Sequence, residues 1–187
     1  MDMDRTALRR PATAHPREAS PGRFVVRSIA PADHEALADF YAGLSEDVRT
    51  ARFHGASAGI ADRLTDVFCG PDHVHREGLV AEAVGVTGPP LIIGHLCLEP
   101  VSDIEVEMAI AVTDAWQHQG VGRSLLRDAI AWARAHRIAR MVASMRWSDP
   151  AILGLVRSSG CPMTFTGRDE GVLDAVLDVG PPAVRAA

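Results

Sequence analysis

The fold turns on one stretch, "IEVEMAIAVTDAWQHQGVGRSLL", residues 104–126. Its opening alternates: Ile104, Val106, Met108, Ile110 and Val112 face one way, and Glu105, Glu107, Ala109 and Ala111 the other. A period of two predicts a strand. Val121, Leu125, Ala129 and Ala133, with Leu126 and Ile130, then recur at helical spacing, which predicts a helix running to about His136. Between the two elements come Gln117, His118, Gln119, Gly120, Val121, Gly122, Arg123 and Ser124. A helix start carries unpaired amides and the positive end of the dipole, and Gly120 and Gly122 let an anion approach the backbone closely. The loop is therefore ready for a phosphate. It is not a dinucleotide fingerprint, which needs a third glycine where Leu125 stands and an acidic residue about 20 positions on. It is not a P-loop, which needs Gly-Lys-Ser/Thr. A glycine turn holding no ligand is the other reading of the spacing.

The rest of the chain arranges itself around this unit. "RFVVRSI" (23–29) alternates and predicts a strand. Pro31 opens a helix carrying Leu37, Phe40, Tyr41 and Leu44. Residues 46–55 and 58–70 predict two more helices, the second broken by Gly70-Pro71-Asp72. "REGLVAEAVGV" and "LIIGHLCLEP", joined by "TGPP", predict a hairpin. "ARMVASMR" predicts a strand. "DPAILGLVRSS" predicts a helix with Asp149 as N-cap and Pro150 at its first position. "PMTF" and "VLDAVLDV" predict closing strands. Residues 1–22 and 181–187 read as tails around one domain over 23–180, with no internal repeat and no dividing linker.

Composition narrows the function. The chain has 187 residues and a net charge of −5, which argues against a nucleic-acid or anionic-membrane binder. No apolar run suits a bilayer span, and the N-terminal stretch lacks the apolar segment of a secretory signal. The three cysteines, Cys69, Cys97 and Cys161, are scattered and form no CxxC, which predicts a reducing cytoplasm and packing roles. His73 and His75 are too few to predict a metal site. Trp116, Trp132 and Trp147 read as packing.

"VTDAWQHQGVGRSLL" resembles the acetyl-CoA signature of the GNAT N-acetyltransferases: Gln117-x-x-Gly120-x-Gly122, set between strand and helix. The resemblance covers residues 23–179. It is closest to the bacterial Pat-like protein lysine acetyltransferases, on "EMAIAV" (107–112) and "GLSEDVRTARFHG" (43–55). It implies an α/β fold, a mixed central sheet with helices on both faces and a V-shaped splay between the fourth and fifth strands. It implies acetyl-CoA as cosubstrate, with no metal. The backbone of Ile110, Ala111 and Val112 would pair with the pantetheine arm. The amides of residues 118–124 would hold the pyrophosphate, with Arg123 adding charge. Two positions depart from the family. Asp149 stands where an Asn often contacts the coenzyme. The only tyrosine is Tyr41, in the first helix, so no late tyrosine serves as acid.

An ε-amine with a pKa of about 10.4 is mostly protonated at neutral pH, so amide formation needs a base. Glu107, beside the small Ala109 and Ala111, is the candidate, and the resemblance implies the same position. It is expected to be buried, which would raise its pKa; Glu105 is the reserve, and a solvated or salt-bridged carboxylate is the alternative. The expected activity is acetylation of a protein lysine, with an acyl-CoA synthetase as the partner the branch implies, by a monomer or homodimer. The helices over residues 31–70 would wall the acceptor cleft. Acetylation of a small amine and an acyl-CoA-binding regulatory domain without turnover are the competing readings.

Overall fold

The computed structural model describes residues 23–53, 59–85, 87–146, 150–169 and 172–180. The two tails, Asp149, Trp147, and the expected helix limits at Gly55 and Ala58 lie outside these residues.

Seven strands form one mixed sheet in the order β1-β2-β3-β4-β5-β7-β6. They are β1 (Phe24–Ser28), β2 (Glu77–Ala83), β3 (Ile92–Ser102), β4 (Glu105–Val112), β5 (Arg140–Arg146), β6 (Met163–Asp169) and β7 (Val172–Asp178). The helices are α1 (His34–Ala42), α2 (Glu46–Phe53), α3 (Gly59–Phe68), α4 (Val121–Ala135) and α5 (Pro150–Arg157). Every neighbouring pair is antiparallel except β4 with β5, which is parallel. α4 is the crossover that such a pair requires.

The alternation along β4 sorts two cores. Val106 and Met108 are buried against α4, through Val121, Leu125, Leu126, Ala129, Ile130 and Ala133. Ala111, with the partly buried Ala109, belongs to the opposite core beneath α1 and α3, with Leu37, Phe40, Tyr41 and Phe68. Helices thus cover both faces. Each buried Leu or Phe contributes roughly 1.5–3 kcal/mol, so α4 is held mainly by its stripe. Ile104, expected on the strand's inner face, instead sits in the tight turn between β3 and β4 and is 48% exposed. β3 runs on to Ser102, and a two-residue turn leaves no room for a longer β4. Among the described residues no helix is long and apolar enough to cross a membrane.

Candidate active site

β4 and β5 begin together and then part. They pair only at Glu105 with Arg140, Val106 with Met141 and Glu107 with Val142. Past that point β4 continues to Val112 paired with β3 alone. The Thr113 amide donates to the Ile93 carbonyl of β3 at 3.0 Å. By alternation, the amides of Ala111, Ala109 and Glu107 also point towards β3, and those of Val112 and Ile110 point into the gap. The Gln117 side-chain amide donates to the Val112 carbonyl at 3.3 Å, which gives that gap-side acceptor a partner.

The gap opens into a cleft of about 750 Å³. β4 supplies Ile110, Ala111 and Val112, and the loop and start of α4 supply Gln117, His118, Gly120, Gly122 and Arg123. Eight of the residues expected to bind the coenzyme therefore share one cavity. Gln119, Val121 and Ser124 do not line it: Val121 is buried in the core, and the Gln119 amide turns back onto the Ala115 carbonyl at 2.6 Å. Gly120 caps α4 in the left-handed region at φ 88°, a conformation that costs other residues about 1–2 kcal/mol. The Ser124 amide closes the first helical bond onto the Gly120 carbonyl at 3.0 Å. The amides of Val121, Gly122 and Arg123 thus have no acceptor within the helix and are available to an anion. A Cβ on Gly122 would reach Leu155 at 3.5 Å and Ile110 at 3.9 Å, so glycine keeps that wall clear. An elongated thiol carrying phosphates fits this donor set: amides at a helix start at one end, free strand amides along the gap.

One wall was expected only broadly, over residues 31–70, and the other was not legible in the sequence. α2 contributes Asp47, Val48 and Ala51, and α5 contributes Ile152, Gly154 and Leu155, with Ser158 just past its end. α2 has no buried residue. Among the described residues, the wall expected over residues 31–70 is represented in the cleft by this helix.

A smaller annex of about 170 Å³ adjoins the cleft through Ala51, Ile110 and Ile152, which line both. Glu107 lies in it, at the last residue pair before the strands part. Contrary to expectation its side chain is exposed rather than buried. Glu105, the reserve candidate, is bound to Arg140 at 2.6 Å and is outside the annex. Glu99, opposite Glu107 on β3, is occupied by Arg76, with contacts of 2.6 and 2.7 Å.

Beneath the annex lies a polar group that sequence reasoning did not find. The Arg52 Nη2 donates to Cys97 Sγ at 3.2 Å, and the guanidinium carbon stands 5.0 Å from the Phe53 ring centre and 5.3 Å from that of Phe68. Nearby, the Tyr41 hydroxyl meets His95 Nδ1 at 2.8 Å. Burial pushes the His95 imidazole down to about 3. Burial likewise pushes the Tyr41 hydroxyl well above its ordinary value. Tyr41 lines neither cavity and is bound to His95, so it does not replace the missing late tyrosine. His73 and His75 each pair with a separate carboxylate, Glu77 at 2.8 Å and Asp72 at 2.9 Å. Among the described residues no group of three or more His, Cys, Asp or Glu is placed to hold a metal.

Known structures share this architecture. The GNAT domain of S. lividans PAT aligns with a TM-score of 0.71 at 25% identity, over 82% of this chain and 89% of that one. The yncA protein of Salmonella typhimurium, solved with acetyl-CoA, aligns with a TM-score of 0.67 at 22% identity, over 88% and 98%. Spermidine N-acetyltransferase of Vibrio cholerae, solved with CoA and spermine, aligns with a TM-score of 0.61 at 14% identity, over 83% and 95%. No curated protein sequence matches significantly. Residues 47–153, more than half of the chain, match the acetyltransferase (GNAT) family, and they span the parted strands, the glycine loop and the cleft between them. The chain therefore belongs to the GNAT acetyltransferases, whose acetyl donor is acetyl-CoA.

Proposed function

We propose that the protein transfers acetyl from acetyl-CoA to a primary amine presented beside Glu107. The observation that carries this is the position of Glu107: a carboxylate at the point where β4 leaves β5, in an annex that opens onto the coenzyme-sized cleft. The amides of Val121, Gly122 and Arg123 hold the pyrophosphate, and the gap-side amides of Ile110 and Val112 hold the pantetheine arm and polarise the thioester carbonyl. Glu107 takes a proton from the acceptor ammonium, directly or through water, so that the neutral nitrogen can attack. A coenzyme thiol with a pKa of about 8.5 leaves with modest help, which suits a site without a tyrosine acid.

Two acceptors fit this chemistry. A lysine of a protein, with an acyl-CoA synthetase as the partner, is supported by the Pat-like sequence elements and by the likeness to the S. lividans PAT domain at 25% identity. A small amine is supported by the annex, which is enclosed enough to hold a compact acceptor. Incubating the protein with acetyl-CoA, candidate synthetases and a set of amines, followed by mass spectrometry, separates them. Glu107→Gln keeps the size and loses the basicity. It should lower turnover by roughly 10²-fold or more with acetyl-CoA affinity unchanged by calorimetry. Full turnover in that variant would end the general-base reading.

A further inference from the structure

Among the described residues Arg52 is a cation without a counter-ion. It sits in the last turn of α2 and lines the annex that holds Glu107. Its Nε is shut off from solvent and has no hydrogen-bond partner. Its Nη2 donates to the sulfur of Cys97, the Tyr41 hydroxyl is a second neutral hydrogen-bond partner of the guanidinium, and two phenylalanine rings flank it. No Asp or Glu among the described residues forms an ion pair with it. Glu107 acts on it electrostatically, from beyond ion-pair distance. Arginine does not give up its proton, and removing a charge from water without a partner costs several kcal/mol. Phenylalanine faces and a thiol offset only part of that cost. The annex is therefore bipolar. One wall carries the Glu107 carboxylate, and another a desolvated guanidinium whose Nε donor is unpaired. Its volume of about 170 Å³ leaves space for a compact molecule beside the cleft.

We propose that Arg52 anchors a carboxylate of the acceptor, so that the substrate is a small amino acid rather than a plain amine or a protein lysine. This rests on the amine acetyltransferase reading above and chooses between its two acceptors. An α-amino acid is a zwitterion whose charges match the two walls in sign, with its carboxylate towards Arg52 and its ammonium towards Glu107. Arginine's planar fork suits a carboxylate better than a lysine ammonium would. A polyamine brings a second cation towards Arg52, and a protein lysine side chain brings nothing charged for the guanidinium to bind. In the reaction the ammonium gives one proton to Glu107. The nitrogen then bonds the acetyl carbonyl carbon, the C–S bond breaks, and the second proton lost by nitrogen ends on the coenzyme sulfur. The acceptor carboxylate takes no part in bond making and serves as the handle.

The test uses the full chain, acetyl-CoA and a thiol-release assay. The acceptors are the protein amino acids, each paired with its decarboxylated amine, together with spermidine and an acyl-CoA synthetase. At least one amino acid should be acetylated, with kcat/KM about 100-fold or more above that of its decarboxylated partner. This comparison needs only the wild type. Arg52→Gln should raise KM for that amino acid by about 100-fold and leave KM for acetyl-CoA unchanged, while Arg52→Lys should recover part of the loss. If Arg52 only positions Glu107, Arg52→Gln lowers kcat equally for an amino acid and its decarboxylated amine, and the proposal is overturned. It is also overturned if spermidine or a synthetase lysine is acetylated and no amino acid is. If no amine of any kind is acetylated, the amine acetyltransferase reading falls with it.

Discussion

His95 shows how far one buried side chain can tie the molecule to pH. It is fully buried on β3, and desolvation holds its imidazole near 3, while in the unfolded chain the ordinary value is about 6.5. Between these values the unfolded chain binds a proton that the native protein refuses. The contribution to stability is thus complete above about pH 6.5 and is lost as the pH falls towards 3. Asp33 acts in the same direction at lower pH. Arg27 grips both of its oxygens, at 2.7 and 2.8 Å, and holds its carboxyl below the usual range, so its contribution is lost as the pH falls through that lowered value. Thermal scans between pH 7 and 4.5 should show a falling Tm in the wild type. In His95→Gln, which leaves Tyr41 a hydrogen-bond partner, the slope should flatten. An unchanged slope would place the acid sensitivity elsewhere.

At the scale of elements, the glycine loop and α4 carry the coenzyme prediction. Gly120 has a positive φ and open space where a Cβ would project. Gly120→Ala should therefore cost about 1–2 kcal/mol in stability through backbone strain alone and still bind acetyl-CoA. Gly120→Glu adds a negative charge beside the anion-binding amides and should abolish calorimetric binding. β4, the loop and α4 were legible because their signals are periodic and local: alternation over 104–112, a glycine pair, and an apolar stripe from Val121 to Ala133. The resemblance added the splay and placed Glu107. What stayed hidden depends on elements meeting across long separations. Nothing in "RTARF" marks the Arg52 guanidinium as shielded from water. That follows from α2 being laid over Cys97 on β3, 45 positions away, and beside Phe68 of α3. The exposure of Glu107 was misjudged for a related reason. Its neighbours Ala109 and Ala111 predict a covered face, and no local pattern records that the cover stops short of Glu107.

At the scale of the whole molecule, the sheet is two sheets held by a short seam. β1 to β4 form one half and β5, β7 and β6 the other, and three residue pairs join them. Beyond the seam, β4 is an edge strand in the interior of the sheet. An unpaired edge on the outside of a protein invites another chain to add itself. Here the space beside the edge is a cleft walled by α2 and α5, and a pantetheine arm with its own amide groups can lie along it. The coenzyme would then act as the missing neighbour of β4 and bridge the two halves. Deuterium exchange would read this residue by residue. The amides of Ile110 and Val112 should exchange quickly in the protein alone and slow sharply with CoA bound, while those of Ala109 and Ala111, already bonded to β3, should be slow in both.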